Sequence, residues 1–108
     1  WIALNPSLNP SSDLTQFIGL NVVFDTGQKF NWTQEDCDQY RSYENDEEGV
    51  AVPGLIIFSS DDEVIDHSNI LNLAQRCQVT QLFSGGHRLQ NTQDYKKPIK
   101  DFLLRLLF

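Results

Sequence analysis

Two short segments carry residue types suited to acid–base chemistry. Residues 54–66 read GLIIFSSDDEVID, an apolar run that ends at Asp61, Asp62 and Glu63. His87, one of two histidines, lies in FSGGHR, 25 positions after Asp62. A carboxylate that accepts a hydrogen bond from one imidazole nitrogen leaves the other nitrogen free to take a proton from a hydroxyl nucleophile. These residue types would therefore suit an acid and a base that serve a nucleophile, if the fold brings them together.

Three apolar runs predict the strands that would position this pair. LIIF at 55–58 is typical of a strand buried on both faces, and VTQLF at 79–83 alternates as a half-buried strand does. WIAL at 1–4 predicts a short buried strand whose edge needs a further partner.

Two further segments have helical spacing. Residues 67–76 place Ile70, Leu71 and Ala74 on one face, and residues 94–108 predict a C-terminal helix with Pro98 in its first turn. Alternating strands and helices predict an α/β fold with a parallel sheet. Because the carboxyl ends of parallel strands share an edge, we expect Asp62 and His87 to meet there.

The segment from 11 to 49 is predicted to be a lid-like helical excursion. Ser12 or Asp13 could cap a first helical turn, and Thr33 followed by Asp36 suggests a second helix that runs to about Tyr43. A turn is expected at 25–27. We expect the excursion to lie over the sheet edge and to offer aromatic side chains to a ligand, namely Phe17, Phe24, Phe30 and Trp32.

Composition limits the class of protein. The chain has 108 residues, enough for a single domain, and a formal net charge of -7, which disfavours nucleic-acid and anionic-membrane partners. No run approaches the ~20 apolar residues of a membrane span. Cys37 and Cys77, 40 positions apart, indicate two thiols in a reducing, cytoplasmic compartment. No signal peptide is visible, and the opening WIALN suggests a piece of a longer chain.

The order of several short motifs resembles the last third of an α/β-hydrolase, and most closely the small bacterial esterases of the YqiA type. The motifs are NPSLNP at 5–10, TGQ at 26–28, DDEVID at 61–66 and GGH at 85–87, and they cover nearly the whole chain. The resemblance implies the carboxyl-terminal half of an α/β-hydrolase sheet, with parallel strands and flanking helices and without the first half.

The same resemblance assigns roles to two residues. Asp62, which directly precedes Glu-Val, matches the triad acid, and His87 matches the triad histidine; Asp61 remains an alternative to Asp62. The family's nucleophile elbow, G-x-S-x-G, and its oxyanion-hole amides are expected in a missing amino-terminal part, because no serine of this chain stands in that pattern. The resemblance thus implies a carboxylic-ester hydrolase of small acyl esters, without a cofactor or metal, whose residues 1–108 are inactive alone.

The residues leave other interpretations open. Glu63 and Asp66 suit a solvated helix start. His67 suits a surface position at the entry to that helix, or a divalent-metal site beside the acids. Two other functions compete with the esterase: a hydrolase-fold binding protein without catalysis, and a receiver-like signalling module in which adjacent acids hold Mg²⁺.

Overall fold

The computed structural model describes residues 1–44, 53–73 and 77–108. Two compact units divide the chain: Trp1–Ser7 with Glu47–Phe108 form the first, and Leu8–Asp46 form the second. The predicted acid and base both belong to the first unit.

A three-stranded parallel sheet forms the centre of the first unit. Its strands are β1 (Ile2–Leu4), β4 (Leu55–Ser59) and β5 (Gln78–Leu82), in the order β1-β4-β5. Ile2 pairs with Leu55, and Leu55 pairs with Gln78. The α/β class and the parallel sheet predicted from the sequence are thus confirmed.

Every residue of β4 is buried, because β4 is the middle strand and its side chains are almost all apolar. On one face, Leu55 and Ile57 pack with Phe102 of helix α3 (Gln93–Leu107). Helix α3 agrees with the predicted C-terminal helix. Pro98 lies in its second turn, however, rather than in the first turn as predicted.

The prediction that β1 is buried is wrong. Ile2 is 37% exposed and Leu4 is 44% exposed. Among the residues that the structure describes, β1 pairs only with β4, so it forms an edge of the sheet. An apolar sequence predicts burial only where neighbouring elements cover the strand, and the described residues leave β1 half uncovered.

The predicted helix at 67–76 is shorter than expected. A 3₁₀ helix covers Ile70–Leu73, whereas residues 67–69 form a turn that is closed by the N–H of Ile70 donating to the carbonyl of His67 at 3.0 Å. Residues 74–76 lie outside the described residues.

The second unit contains a β-hairpin that the sequence reading did not predict. Strands β2 (Gly19–Val22) and β3 (Lys29–Trp32) pair antiparallel, with Gly19 opposite Trp32. The other elements of this unit are helical: α1 (Pro10–Asp13), α2 (Gln34–Asp38), and 3₁₀ helices over Leu14–Phe17 and Gln39–Tyr43.

The predicted start of the second helix is confirmed. Thr33 caps α2 in a capping box: its hydroxyl accepts from the N–H of Asp36, and the carboxylate of Asp36 accepts from the N–H of Thr33. Residues 45–49 of the predicted excursion lie outside the described residues, and its position as a lid stays a prediction. None of the described helices is long and apolar enough to cross a membrane.

Candidate active site

Asp62 lies in the turn that follows β4, and backbone amides hold its carboxylate in place. Its side chain is 1% exposed. Oδ1 accepts hydrogen bonds from the N–H of Val64 at 2.8 Å and from the N–H of Ile65 at 3.0 Å. Such a turn forms because an aspartate oxygen readily bonds the amides two and three positions later. The carboxylate is therefore fixed by its own loop.

His87, in the loop after β5, contacts this carboxylate with one ring nitrogen. Nδ1 lies 3.0 Å from Oδ2 and 3.1 Å from Oδ1 of Asp62. The imidazole is 38% exposed, and within the described part of the chain Nε2 has no hydrogen-bond partner. The two predicted site residues are thus brought together at the carboxyl ends of adjacent parallel strands. The arrangement suits an imidazole that accepts a proton at Nε2.

Asp61, the alternative acid, has other partners. Its Oδ1 accepts from the hydroxyl of Ser59 and from the N–H of Gly86, the latter at 2.8 Å. Among the described contacts of Asp61, none is with an imidazole. The geometry therefore favours Asp62 over Asp61 as the partner of His87.

Glycines let the histidine loop turn sharply beside the acids. Gly85 and Gly86 have φ values of 118° and 64°, which side chains other than glycine rarely adopt. The N–H of His87 then donates to Oε2 of Glu63 at 3.0 Å. Glu63 is exposed, as predicted. Its hydrogen bond to the backbone of His87 was not predicted from the sequence.

Asn5 connects three segments at this edge, and the sequence reading assigned it no role. Its Oδ1 accepts from the buried N–H of Ser59 at 2.8 Å. Its Nδ2 donates to the carbonyls of Gly86 at 3.1 Å and His87 at 2.7 Å. Asn5 is 6% exposed and has a φ of 44°, a conformation that asparagine tolerates better than most residues. Its place between a strand and a proline marks a turn, but that local pattern does not specify these three partners.

The residues that make these contacts lie within a range of the chain that matches a known protein family. Residues 1–104 match the family model described as Uncharacterised protein family (UPF0227). The chain belongs to this family. UPF0227 is the YqiA-type family that the motifs of the sequence resemble.

Hydrogen bonds set the ionisation of the acid in this UPF0227 protein. Burial by itself would raise the pKa of Asp62. Hydrogen bonds from His87, from the amides of Ile65 and Val64 and from His67 outweigh that effect and lower the pKa from 3.8 to about 2. Asp62 is therefore a carboxylate at neutral pH and can only accept hydrogen bonds.

His67 is buried, so the prediction of a surface position is wrong. Its side chain is 5% exposed, and its Nε2 lies 2.7 Å from Oδ2 of Asp62. Its ring packs against Phe58, with the ring centroids 5.3 Å apart. The helical turn begins at Ile70 and not at residue 67. His67 therefore lies in the preceding turn, where its imidazole is buried.

An open cavity of about 580 Å³ lies beside the acid. Phe58, Val64 and Ile65 line it together with Asp62 and His67, whereas His87 does not. The cavity therefore borders the Asp62 carboxylate from the side of His67 and not from the side of His87.

The described residues do not gather the ligands of a cation site. Within residues 1–44, 53–73 and 77–108, no group of three or more His, Cys, Asp or Glu side chains is placed to hold a metal ion. The adjacent acids expected of a receiver-like module instead have protein donors: Asp61 faces Ser59, and Asp62 faces two imidazoles. This geometry gives no support to the Mg²⁺-binding interpretation.

Proposed function

We propose that residues 1–108 carry the acid and the base of a serine esterase of small acyl esters, whose nucleophilic serine lies outside these residues. The contact between Asp62 and His87 carries this proposal. Nδ1 of His87 faces both carboxylate oxygens, and Nε2 remains without a partner in the described part of the chain. A general base needs this arrangement, because the acid fixes the ring and the opposite nitrogen takes the proton.

The proposed reaction has two halves, acylation and deacylation of the serine, and His87 and Asp62 have the same roles in both. Nε2 of His87 takes the hydroxyl proton of the serine while the serine oxygen attacks the ester carbonyl. The tetrahedral intermediate expels the alkoxide, which takes the proton back from Nε2. Water then attacks the acyl-serine with the same proton transfers. Asp62 accepts the Nδ1–H bond throughout and stabilises the imidazolium cation.

Two further observations support this proposal. The pair lies at the carboxyl ends of parallel strands, where reactive groups of open α/β sheets gather. The chain also belongs to a family of the YqiA type, which is commonly regarded as esterase-like.

The test uses the longer chain that this proposal requires, in which an amino-terminal part with the nucleophilic serine precedes residues 1–108. We expect it to hydrolyse p-nitrophenyl acetate or butyrate and to be labelled at a serine by a fluorophosphonate. Asp62→Asn should lower kcat by about 10⁴-fold, because an amide can stabilise the wrong tautomer of His87. Asp61→Asn is the matched control: it changes the neighbouring carboxylate in the same way and should leave kcat close to the wild-type value.

Equal turnover in the Asp62→Asn variant and the wild type would remove Asp62 from the mechanism. Absence of both hydrolysis and labelling in a folded protein would favour the second candidate, a hydrolase-fold binding protein without catalysis.

A further inference from the structure

His67 is a buried histidine that the proton transfer at His87 does not use. Its Nε2 contacts Oδ2 of Asp62 at 2.7 Å, shorter than either distance from the ring of His87 to this carboxylate. A residue that only filled space beside Phe58 would not need a polar atom, and leucine or phenylalanine would serve. The contact with Asp62 is therefore the feature that a polar ring at this position explains.

The surroundings of His67 specify which nitrogen carries its proton. Asp62 is ionised and can only accept, so the hydrogen in this contact belongs to Nε2 of His67. Nδ1 of His67 is buried and has no hydrogen-bond partner among the described residues. A hydrogen on Nδ1 would be a buried donor without an acceptor, which costs free energy. The geometry therefore places the donated hydrogen on Nε2 and favours a bare Nδ1.

The two oxygens of Asp62 are held from different directions. Backbone amides of Val64 and Ile65 hold Oδ1, whereas Oδ2 receives no backbone amide among the described contacts. Nδ1 of His87 spans both oxygens, so within the described residues His67 is the side chain that contacts Oδ2 alone. Amides on Oδ1 alone would allow the carboxylate to rotate about its bond to Cβ. A donor on Oδ2 fixes that rotation.

We propose that His67 is a positioning residue for the acid–base pair, because its Nε2–H bond fixes the plane of the Asp62 carboxylate that Nδ1–H of His87 meets. The catalytic part of this proposal rests on the esterase function proposed above. The contact itself does not, and two measurements address it without any substrate.

The first measurement is the tautomer of His67 in the wild-type protein. Long-range ¹H–¹⁵N NMR correlations should show one slowly exchanging ring proton on Nε2 and a bare Nδ1. A ring without a hydrogen on Nε2, or rapid exchange between the two tautomers, would overturn the proposal.

The second measurement compares two variants by ¹³C NMR titration of the Asp62 carboxyl. His67→Phe keeps a flat ring beside Phe58 but loses the donor, so the pKa of Asp62 should rise above its value of about 2. His67→Gln can place an amide N–H near the position of Nε2 and should keep the pKa lower than in the phenylalanine variant. Equal values in the wild type and the phenylalanine variant would overturn the proposal. Were the phenylalanine variant not to fold, the tautomer and the glutamine variant would still decide.

Kinetics of the longer chain test the positioning role. His67→Phe should lower kcat by about 10- to 100-fold, the size of one hydrogen bond to a charged group, with KM unchanged. His67→Gln should recover most of the loss. An inactive wild type would contradict the esterase proposal. The NMR measurements would still test the contact between His67 and Asp62. An active wild type with an equally active phenylalanine variant would end the positioning role alone.

Discussion

Asn5 and His87 are 82 positions apart in the chain, and the side-chain amide of the first donates to the backbone carbonyl of the second at 2.7 Å. The same amide accepts from the N–H of Ser59 at 2.8 Å. The ends of β1 and β4 are thereby tied to the loop that carries the imidazole. Asp62 orients the ring of His87, and Asn5 holds its backbone.

Replacing Asn5 with aspartate should destabilise the protein while changing few atoms. The Oδ1 acceptor for Ser59 remains, but the donor becomes a second oxygen that faces the carbonyls of Gly86 and His87. A buried acceptor opposed by acceptors leaves polar groups unsatisfied, at about 1–3 kcal/mol for each group. Urea unfolding should show a lower midpoint, and the proposed esterase activity of the longer chain should fall.

Asn21→Asp is the matched control for that change. The amide of Asn21 also donates to two backbone carbonyls, those of Phe17 and Gly19, but it lies closer to solvent. Water can solvate the new carboxylate there, so we expect a smaller loss of stability. Equal losses of stability at the two positions would mean that burial of the Asn5 hydrogen bonds does not increase their contribution to stability.

Gly86→Ala should disturb the contact between Glu63 and the histidine loop. Gly86 has a φ of 64°, and a Cβ at this position would lie 3.0 Å from Oε2 of Glu63. The left-handed backbone alone costs a residue with a Cβ about 1–2 kcal/mol, and displacement of the carboxylate adds to that cost.

A double-mutant cycle separates the two contributions. In a Glu63→Ala background the crowding disappears, so Gly86→Ala should cost less free energy of unfolding than in the wild type. An identical cost in both backgrounds would assign the whole effect to backbone strain.

The meeting of Asp62 and His87 could be predicted because it follows from a general rule. Apolar runs identified two strands, alternation with helices made them parallel, and parallel strands end at one edge. The choice between Asp61 and Asp62 was harder, since adjacent residues share a loop and only their hydrogen-bond partners separate them.

Asn5 and His67 could not be predicted by that rule. The role of Asn5 depends on a positive φ and on the alignment of Ser59, Gly86 and His87, which no local pattern encodes. The helical spacing of residues 67–76 predicts a surface position for His67 at the entry to a helix. The helical turn starts only at Ile70, and contact with Phe58 and Asp62 prevails over the local preference.

Ser59→Ala should change the ionisation of one acid and not of its neighbour. The hydroxyl of Ser59 is the main cause of the lowered pKa of Asp61, followed by the N–H of Gly86. Without the hydroxyl, the pKa of Asp61 should rise toward 3.8. The pKa of Asp62 should stay near 2, because Ser59 is not among its donors. Carboxyl ¹³C titration reads both acids in one experiment, and a rise at Asp62 would show that the two sites are coupled.

Asp62 should contribute to the free energy of unfolding, and this contribution should decrease as the pH falls. Its pKa in the folded protein is lowered to about 2, against an ordinary value of 3.8. A group with a lowered folded pKa contributes its full stabilisation above the unfolded value and loses it as the pH falls through the folded value. The contribution should therefore be complete above about pH 4 and absent below about pH 2. Its size is about 2 kcal/mol, since the side chain is almost fully buried.

Urea unfolding of the wild type and of Asp62→Asn between pH 2 and pH 6 measures this contribution. Other carboxylates titrate in the same range, so the informative quantity is the difference between the two curves. That difference should be largest above about pH 4 and shrink toward pH 2, because the asparagine variant has no proton to bind at this site. Asp25→Asn, which changes an exposed carboxylate in the hairpin turn, should run parallel to the wild type. A constant difference between the wild type and Asp62→Asn across the range would show that the hydrogen bonds to Asp62 do not depend on its charge, and would remove the physical basis for its role as an ionised acid beside His87.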